Sequence, residues 1–155
     1  MTEQAHPQPQ VLFQSAIQRI LPHRYPFLLV DRVIEFMPGQ RITGIKHFSA
    51  NDVTSHAGAA TVPCGILIEA VTQLGAILVL ERPQMAGKVA VIVQIPSAQM
   101  LRPVQPGDTL RLEAEVVKLR EAFGELRGTI YCEGTLVAEG RMRFALADKA
   151  DLQLA

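Results

Sequence analysis

Residues 64–81, CGILIEAVTQLGAILVLE, carry the pattern that decides the fold. Apolar side chains cover nearly the whole circumference of a helix drawn through them, which is the pattern of a helix enclosed by other structure rather than one lying on a surface. Pro63 suits the first position of that helix, and Arg82-Pro83 ends it. The run is about the minimum length for a membrane span, yet Glu69 and Gln73 stand in its middle, where a charge is expensive in hydrocarbon. It reads as a buried helix of a soluble protein, and no membrane partner is expected.

Such a helix must be covered on all sides, and the sequence around it supplies strands. Residues 27–36 (FLLVDRVIEF) and 41–48 (RITGIKHF) are rich in β-branched and aromatic side chains and are separated by Pro38-Gly39, a turn pair. Downstream, residues 88–95, 108–119, 124–132 and 135–146 include runs that alternate apolar with polar residues, with turns at Pro106-Gly107-Asp108 and Glu133-Gly134. Residues 11–21 (VLFQSAIQRIL) predict a short amphipathic helix ended by Pro22, and residues 49–62, small, polar and without periodicity, predict a loop. A strand pair, one long apolar helix and four antiparallel strands make an α+β order in which the sheet must wrap the helix to bury it.

The chain has 155 residues, 48% of them hydrophobic and 19% charged, enough for one ordinary core. The expected organisation is a disordered tail at residues 1–10, a single domain over residues 11–148 and a C-terminal tail at residues 149–155. Fifteen Lys and Arg balance fifteen Asp and Glu with no basic cluster, which argues against a nucleic-acid partner. Cys64 and Cys132 have no metal-ligand spacing, so they predict packed thiols in a reducing compartment, with no metal. The opening MTEQAHPQPQ lacks the pattern of a signal peptide, and a cytoplasmic location is expected.

Two polar residues break the apolar helix. A lone carboxylate such as Glu69 cannot be buried there without a partner or a raised pKa, so it serves either a site or a salt bridge at an interface. Gln73 lies one turn on, on the same face, where it can hold the Glu69 carboxyl in position. The backbone N–H groups at the Pro63-Cys64-Gly65 entry to the helix are unpaired, and the dipole there suits a developing negative charge.

Residues 21–33, LPHRYPFLLVDRV, resemble the opening signature of the beta-hydroxyacyl-acyl-carrier-protein dehydratases, the FabZ-like hot-dog family. The resemblance continues through Pro63, Ile68-Glu69-Ala70 and Gln73, similar to the family's PGVLxIEAxAQ helix, and through Arg102-Pro103-Val104 to Asp108; it covers roughly residues 15–146. It implies a hot-dog fold, with a six-stranded antiparallel sheet wrapped around a long central helix. It also implies a homodimer with shared active sites, or a trimer of dimers. In place of the family's GHFPGxPxxPG, this chain has a shorter run, SHAGAATVPC, from Ser55 to Cys64.

The activity implied is removal of water from a beta-hydroxyacyl chain on acyl carrier protein, giving a trans-2-enoyl thioester without a cofactor. His56 and Glu69 are then the acid/base pair, with Cys64 and Gly65 at the oxyanion position and Gln73 behind Glu69. Tyr25, Phe27 and Gly58 are candidate substrate-binding residues, core packing being the plainer reading of Tyr25 and Phe27. His23 is expected to act structurally, fixing the entry to the first strand. Two alternatives stay open: a hot-dog acyl thioesterase, in which Glu69 activates water, and a non-catalytic acyl-binding or heterodimer subunit, suggested by the shortened loop.

Overall fold

A computed structural model describes residues 10–52 and 60–153. The chain runs α1 (Gln14–Ile20), β1 (Arg32–Met37), β2 (Arg41–His47), α2 (Cys64–Leu80), a 3-10 turn (Pro83–Met85), β3 (Lys88–Met100), β4 (Thr109–Leu119), β5 (Phe123–Cys132) and β6 (Thr135–Asp148). The six strands form one antiparallel sheet in the order β1-β2-β4-β5-β6-β3. The α2 helix packs against β2, β3, β4, β5 and β6, so the sheet wraps it as the apolar circumference of the helix requires.

The fit between helix and sheet is close enough to exclude side chains on the sheet at some crossings. A methyl group at Gly128 of β5 would come within 2.7 Å of Val71, and one at Gly44 of β2 within 2.7 Å of Leu74. Along α2 every residue from Leu67 to Leu80 is buried except Glu69. That exception locates the site.

Several expected boundaries shift for identifiable reasons. The first helix is shorter than residues 11–21, because Leu12 forms a β-bridge with Val33 and the helix starts only after it. The first strand begins at Arg32 rather than Phe27, because the backbone of Phe27 and Leu29 is bonded to the Gln73 side chain. β3 continues past Ile95 to Met100 although Pro96 lies within it. It is the last strand of the sheet, and its pairing with β6 is irregular between Ile92 and Ser97, where a residue without an N–H is tolerated.

A charged cluster fastens the start of the segment between β2 and α2. Lys46, 5% exposed, lies 3.0 Å from Asp52 Oδ1 and 3.6 Å from Asp31 Oδ1. Asp52 Oδ2 accepts the Ser49 N–H at 2.7 Å. Burial raises the Asp52 pKa, but the Ser49 N–H and the Lys46 ammonium outweigh it and hold the carboxyl below its ordinary value. The expected tail at residues 1–10 falls outside the described residues up to residue 9, as do residues 53–59 of the expected loop. No described helix is long and apolar enough to cross a membrane.

Candidate active site

Gln73 is the fixed point of the site. It is 1% exposed, and its amide has three partners: Oε1 accepts the Leu29 N–H at 2.8 Å, while Nε2 donates to the Phe27 carbonyl at 2.7 Å and to Glu69 Oε1 at 2.8 Å. A flipped amide would face an N–H with an NH2 and a carbonyl with an oxygen, so this network admits one orientation. The spacing of four residues on α2 brings Glu69 and Gln73 together, and the segment before β1 locks Gln73 from the other side. Glu69 is thereby oriented although its side chain is 42% exposed.

A second group stands on the same carboxylate oxygen. His23 Nε2 is 3.6 Å from Glu69 Oε1. The other ring nitrogen, Nδ1, is buried and has no hydrogen-bond partner among the described residues. Burial lowers the His23 pKa, the Glu69 carboxylate partly opposes this, and the Arg24 guanidinium adds to it; the net shift is downward, which favours the neutral imidazole. His23 lies in the segment between α1 and β1, and the adjoining Arg24 fastens that segment to the end of α1. Its guanidinium donates to the carbonyls of Leu21 at 2.8 Å, His23 at 2.7 Å and Gln18 at 2.9 Å.

These groups open onto a cavity of about 220 Å³. His23, Glu69, Thr72 and Gln73 form its polar end; Ala76, Val79, Ala90, Ile92, Leu126 and Phe144 form the rest of its wall. Glu69, Thr72, Ala76 and Val79 follow one face of α2, so the apolar part extends along the helix away from the carboxyl. Such a cavity suits a ligand with one polar, reactive end and a hydrocarbon tail. Among the described residues, no group of three His, Cys, Asp or Glu is placed to hold a metal ion.

The other sequence candidates divide. Cys64 and Gly65 open α2, whose first hydrogen bonds to Pro63 come from Ile66 and Leu67, so the N–H groups of Cys64 and Gly65 precede the helical pattern. Cys64 packs partly against the core and is a free thiol. Tyr25 and Phe27 are not core residues: they are 89% and 57% exposed, because Gln73 and Arg24 hold the backbone there while the side chains turn outward. Neither lines the Glu69 cavity. His56 and Gly58 lie outside the described residues. Sequence reasoning missed His23 and Thr72 as cavity residues; the place of His23 next to the Pro and Arg of the signature was its one visible signal.

Comparison with known proteins agrees with this geometry. The FabA-like domain model matches residues 21–141. A 3-hydroxyacyl-[acyl-carrier-protein] dehydratase FabZ from Desulforamulus reducens is 45% identical over 138 residues, which cover 87% of this chain and 97% of that protein. The protein of the same name from Thermomicrobium roseum is 46% identical over 135 residues, covering 85% and 91%. Among solved structures, a dehydratase heterocomplex, ApeI:P from Xenorhabdus doucetiae, matches with a TM-score of 0.76 at 21% identity, over 88% of this chain and 94% of that one. A hot-dog-like protein from Thermanaerovibrio acidaminovorans matches with a TM-score of 0.63 at 22% identity, over 76% and 88%. The shared fold is the hot-dog fold.

Proposed function

The chain belongs to the FabA-like family, and from that premise we infer that it is a 3-hydroxyacyl-[acyl-carrier-protein] dehydratase, an enzyme of fatty-acid or polyketide-type synthesis. One observation carries the reading to this chain's own residues. Glu69 is the one unburied residue between Leu67 and Leu80, and Gln73 holds it at the polar end of a cavity that is otherwise apolar.

The chemistry follows from what each group can do. A hydroxide is a poor leaving group, so the β-hydroxyl must gain a proton as it departs, and the Glu69 carboxyl donates it. The α-proton needs a base, for which the proposal assigns His56. Charge building on the thioester oxygen is stabilised by the N–H groups of Cys64 and Gly65 at the start of α2. The acyl chain occupies the cavity beyond Ala76, and the acyl carrier protein stays outside. No cofactor is required. The proposed catalytic unit is the single domain over residues 11–148.

A homodimer is part of the proposal. Among the described residues β3 ends the sheet with no strand beside its outer edge, and Val93, 62% exposed, stands among the apolar side chains left uncovered there. The open edge of a strand of 13 residues is a template for pairing with a second copy, and a trimer of such dimers is the larger assembly the family suggests. A stable monomer in sedimentation at micromolar concentration would count against this. The proposed location is the cytoplasm, in keeping with the free thiols of Cys64 and Cys132.

The deciding experiment incubates the purified protein with 3-hydroxybutyryl acyl carrier protein and follows enoyl absorbance and free thiol together. Enoyl product without thiol is expected. Thiol release would indicate a thioesterase, and neither signal a non-catalytic subunit.

A further inference from the structure

We propose that the Thr72 hydroxyl binds the oxygen that the reaction removes, accepting the O–H of the substrate's β-hydroxyl while Glu69 protonates the same atom, and then holding the water formed. The proposal rests on the dehydration inferred above and names the contact by which the cavity recognises a hydroxylated chain.

Thr72 is 8% exposed and lines the cavity less than one turn along α2 from Glu69. The family's helix motif, PGVLxIEAxAQ, has alanine at this position, so building the helix does not call for a hydroxyl here. A buried hydroxyl is costly without a partner, and in a helix it commonly turns back to the carbonyl one turn earlier. Among the described residues the Thr72 hydroxyl has no hydrogen-bond partner. The other polar groups of the wall are engaged. Gln73 commits its amide to Leu29, Phe27 and Glu69, and His23 Nε2 stands 3.6 Å from the same Glu69 oxygen. Thr72 is the polar side chain left to meet whatever enters the cavity.

Its place suits a single oxygen atom. Side chains three positions apart on a helix are neighbours, with Cβ atoms about 5–6 Å apart. One oxygen between Glu69 and Thr72 can bond to both, since O–H···O contacts are about 2.8 Å long. A β-hydroxyl has one hydrogen and two lone pairs. The protonated Glu69 carboxyl donates to a lone pair, and Thr72 Oγ1 accepts the hydrogen. When the C–O bond breaks, the oxygen takes the Glu69 proton and becomes water, which then donates one hydrogen to the Glu69 carboxylate and the other to Thr72. Both contacts therefore persist from substrate to product, so losing Thr72 weakens ground state and transition state alike and registers in KM. An acyl chain without the hydroxyl leaves Thr72 unsatisfied in a wall that continues with Ala76, Val79 and Phe144, and that penalty distinguishes the two chains.

The test measures binding and turnover separately. In Glu69→Gln, which holds substrate without turning it over, calorimetry should show 3-hydroxybutyryl acyl carrier protein binding more tightly than butyryl acyl carrier protein. Adding Thr72→Val should weaken the hydroxylated ligand about 10-fold, the scale of one hydrogen bond, and leave the butyryl ligand within twofold. Adding Thr72→Ser instead should retain the preference. In steady state, Thr72→Val alone should raise KM about 10-fold with kcat changed less than twofold, and Thr72→Ser should stay near wild type. Equal weakening of both ligands, an unchanged preference in Thr72→Val, or failure of serine to retain it would overturn the contact. Inactive wild type that still prefers the hydroxylated ligand through Thr72 would remove the dehydratase reading and leave the contact standing.

Discussion

The two halves of α2 differ in what they do with the same apolar material. From Leu74 to Leu80 every side chain is buried and none is polar. The preceding turns are also mostly buried, but Glu69, Thr72 and Gln73 interrupt them, and all three line the cavity. A buried helix tolerates a polar group only where a partner reaches it. For Gln73 and Glu69 the groups that reach in from outside the helix come from one short stretch, His23 to Leu29, so the chemistry is confined to the end of α2 that this stretch covers.

That contrast can be broken from either side. Leu74→Ala strikes the apolar half, where deleting a fully buried leucine costs about 2–5 kcal/mol; thermal unfolding should report a large fall in Tm, while turnover per folded molecule is kept. Glu69→Gln strikes the polar half: turnover should fall about 100-fold, equivalent to about 2.7 kcal/mol of barrier, with Tm nearly unchanged, and a variant of normal rate would show that the carboxyl is not the acid. Gln73→Leu belongs to both halves. It leaves the Leu29 N–H and the Phe27 carbonyl without partners and frees Glu69, so a stability loss of about 1–3 kcal/mol should accompany a rate loss smaller than that of Glu69→Gln.

The smallest effect is in pH dependence. The folded protein holds His23 below the ordinary histidine value of 6.5, so between its folded pKa and 6.5 the unfolded chain binds more protons. Stability from this residue is present above pH 6.5 and is lost as pH falls toward the folded pKa. A series of Tm values against pH should show that decline in wild type and a flatter course in His23→Gln; equal slopes would mean that the ring is not held neutral.

The sequence by itself determined the parts that depend on local pattern. The apolar circumference of α2, the alternation in β4 to β6 and the turn pairs at Pro38-Gly39 and Glu133-Gly134 placed those elements to within a few residues. The spacing of Glu69 and Gln73 put the carboxyl and its amide on one helix face. Tertiary structure alone decided what reaches that face. Nothing in residues 21–29 announces that their backbone will satisfy Gln73 instead of starting a strand, that Tyr25 and Phe27 will turn outward, or that His23 will turn to Glu69. β3 likewise runs past Pro96 only because it lies at the edge of the sheet. Periodicity records which side of an element is buried, whereas a hydrogen bond between residues 44 or 46 positions apart depends on how the chain folds back on itself, and no local signal encodes that.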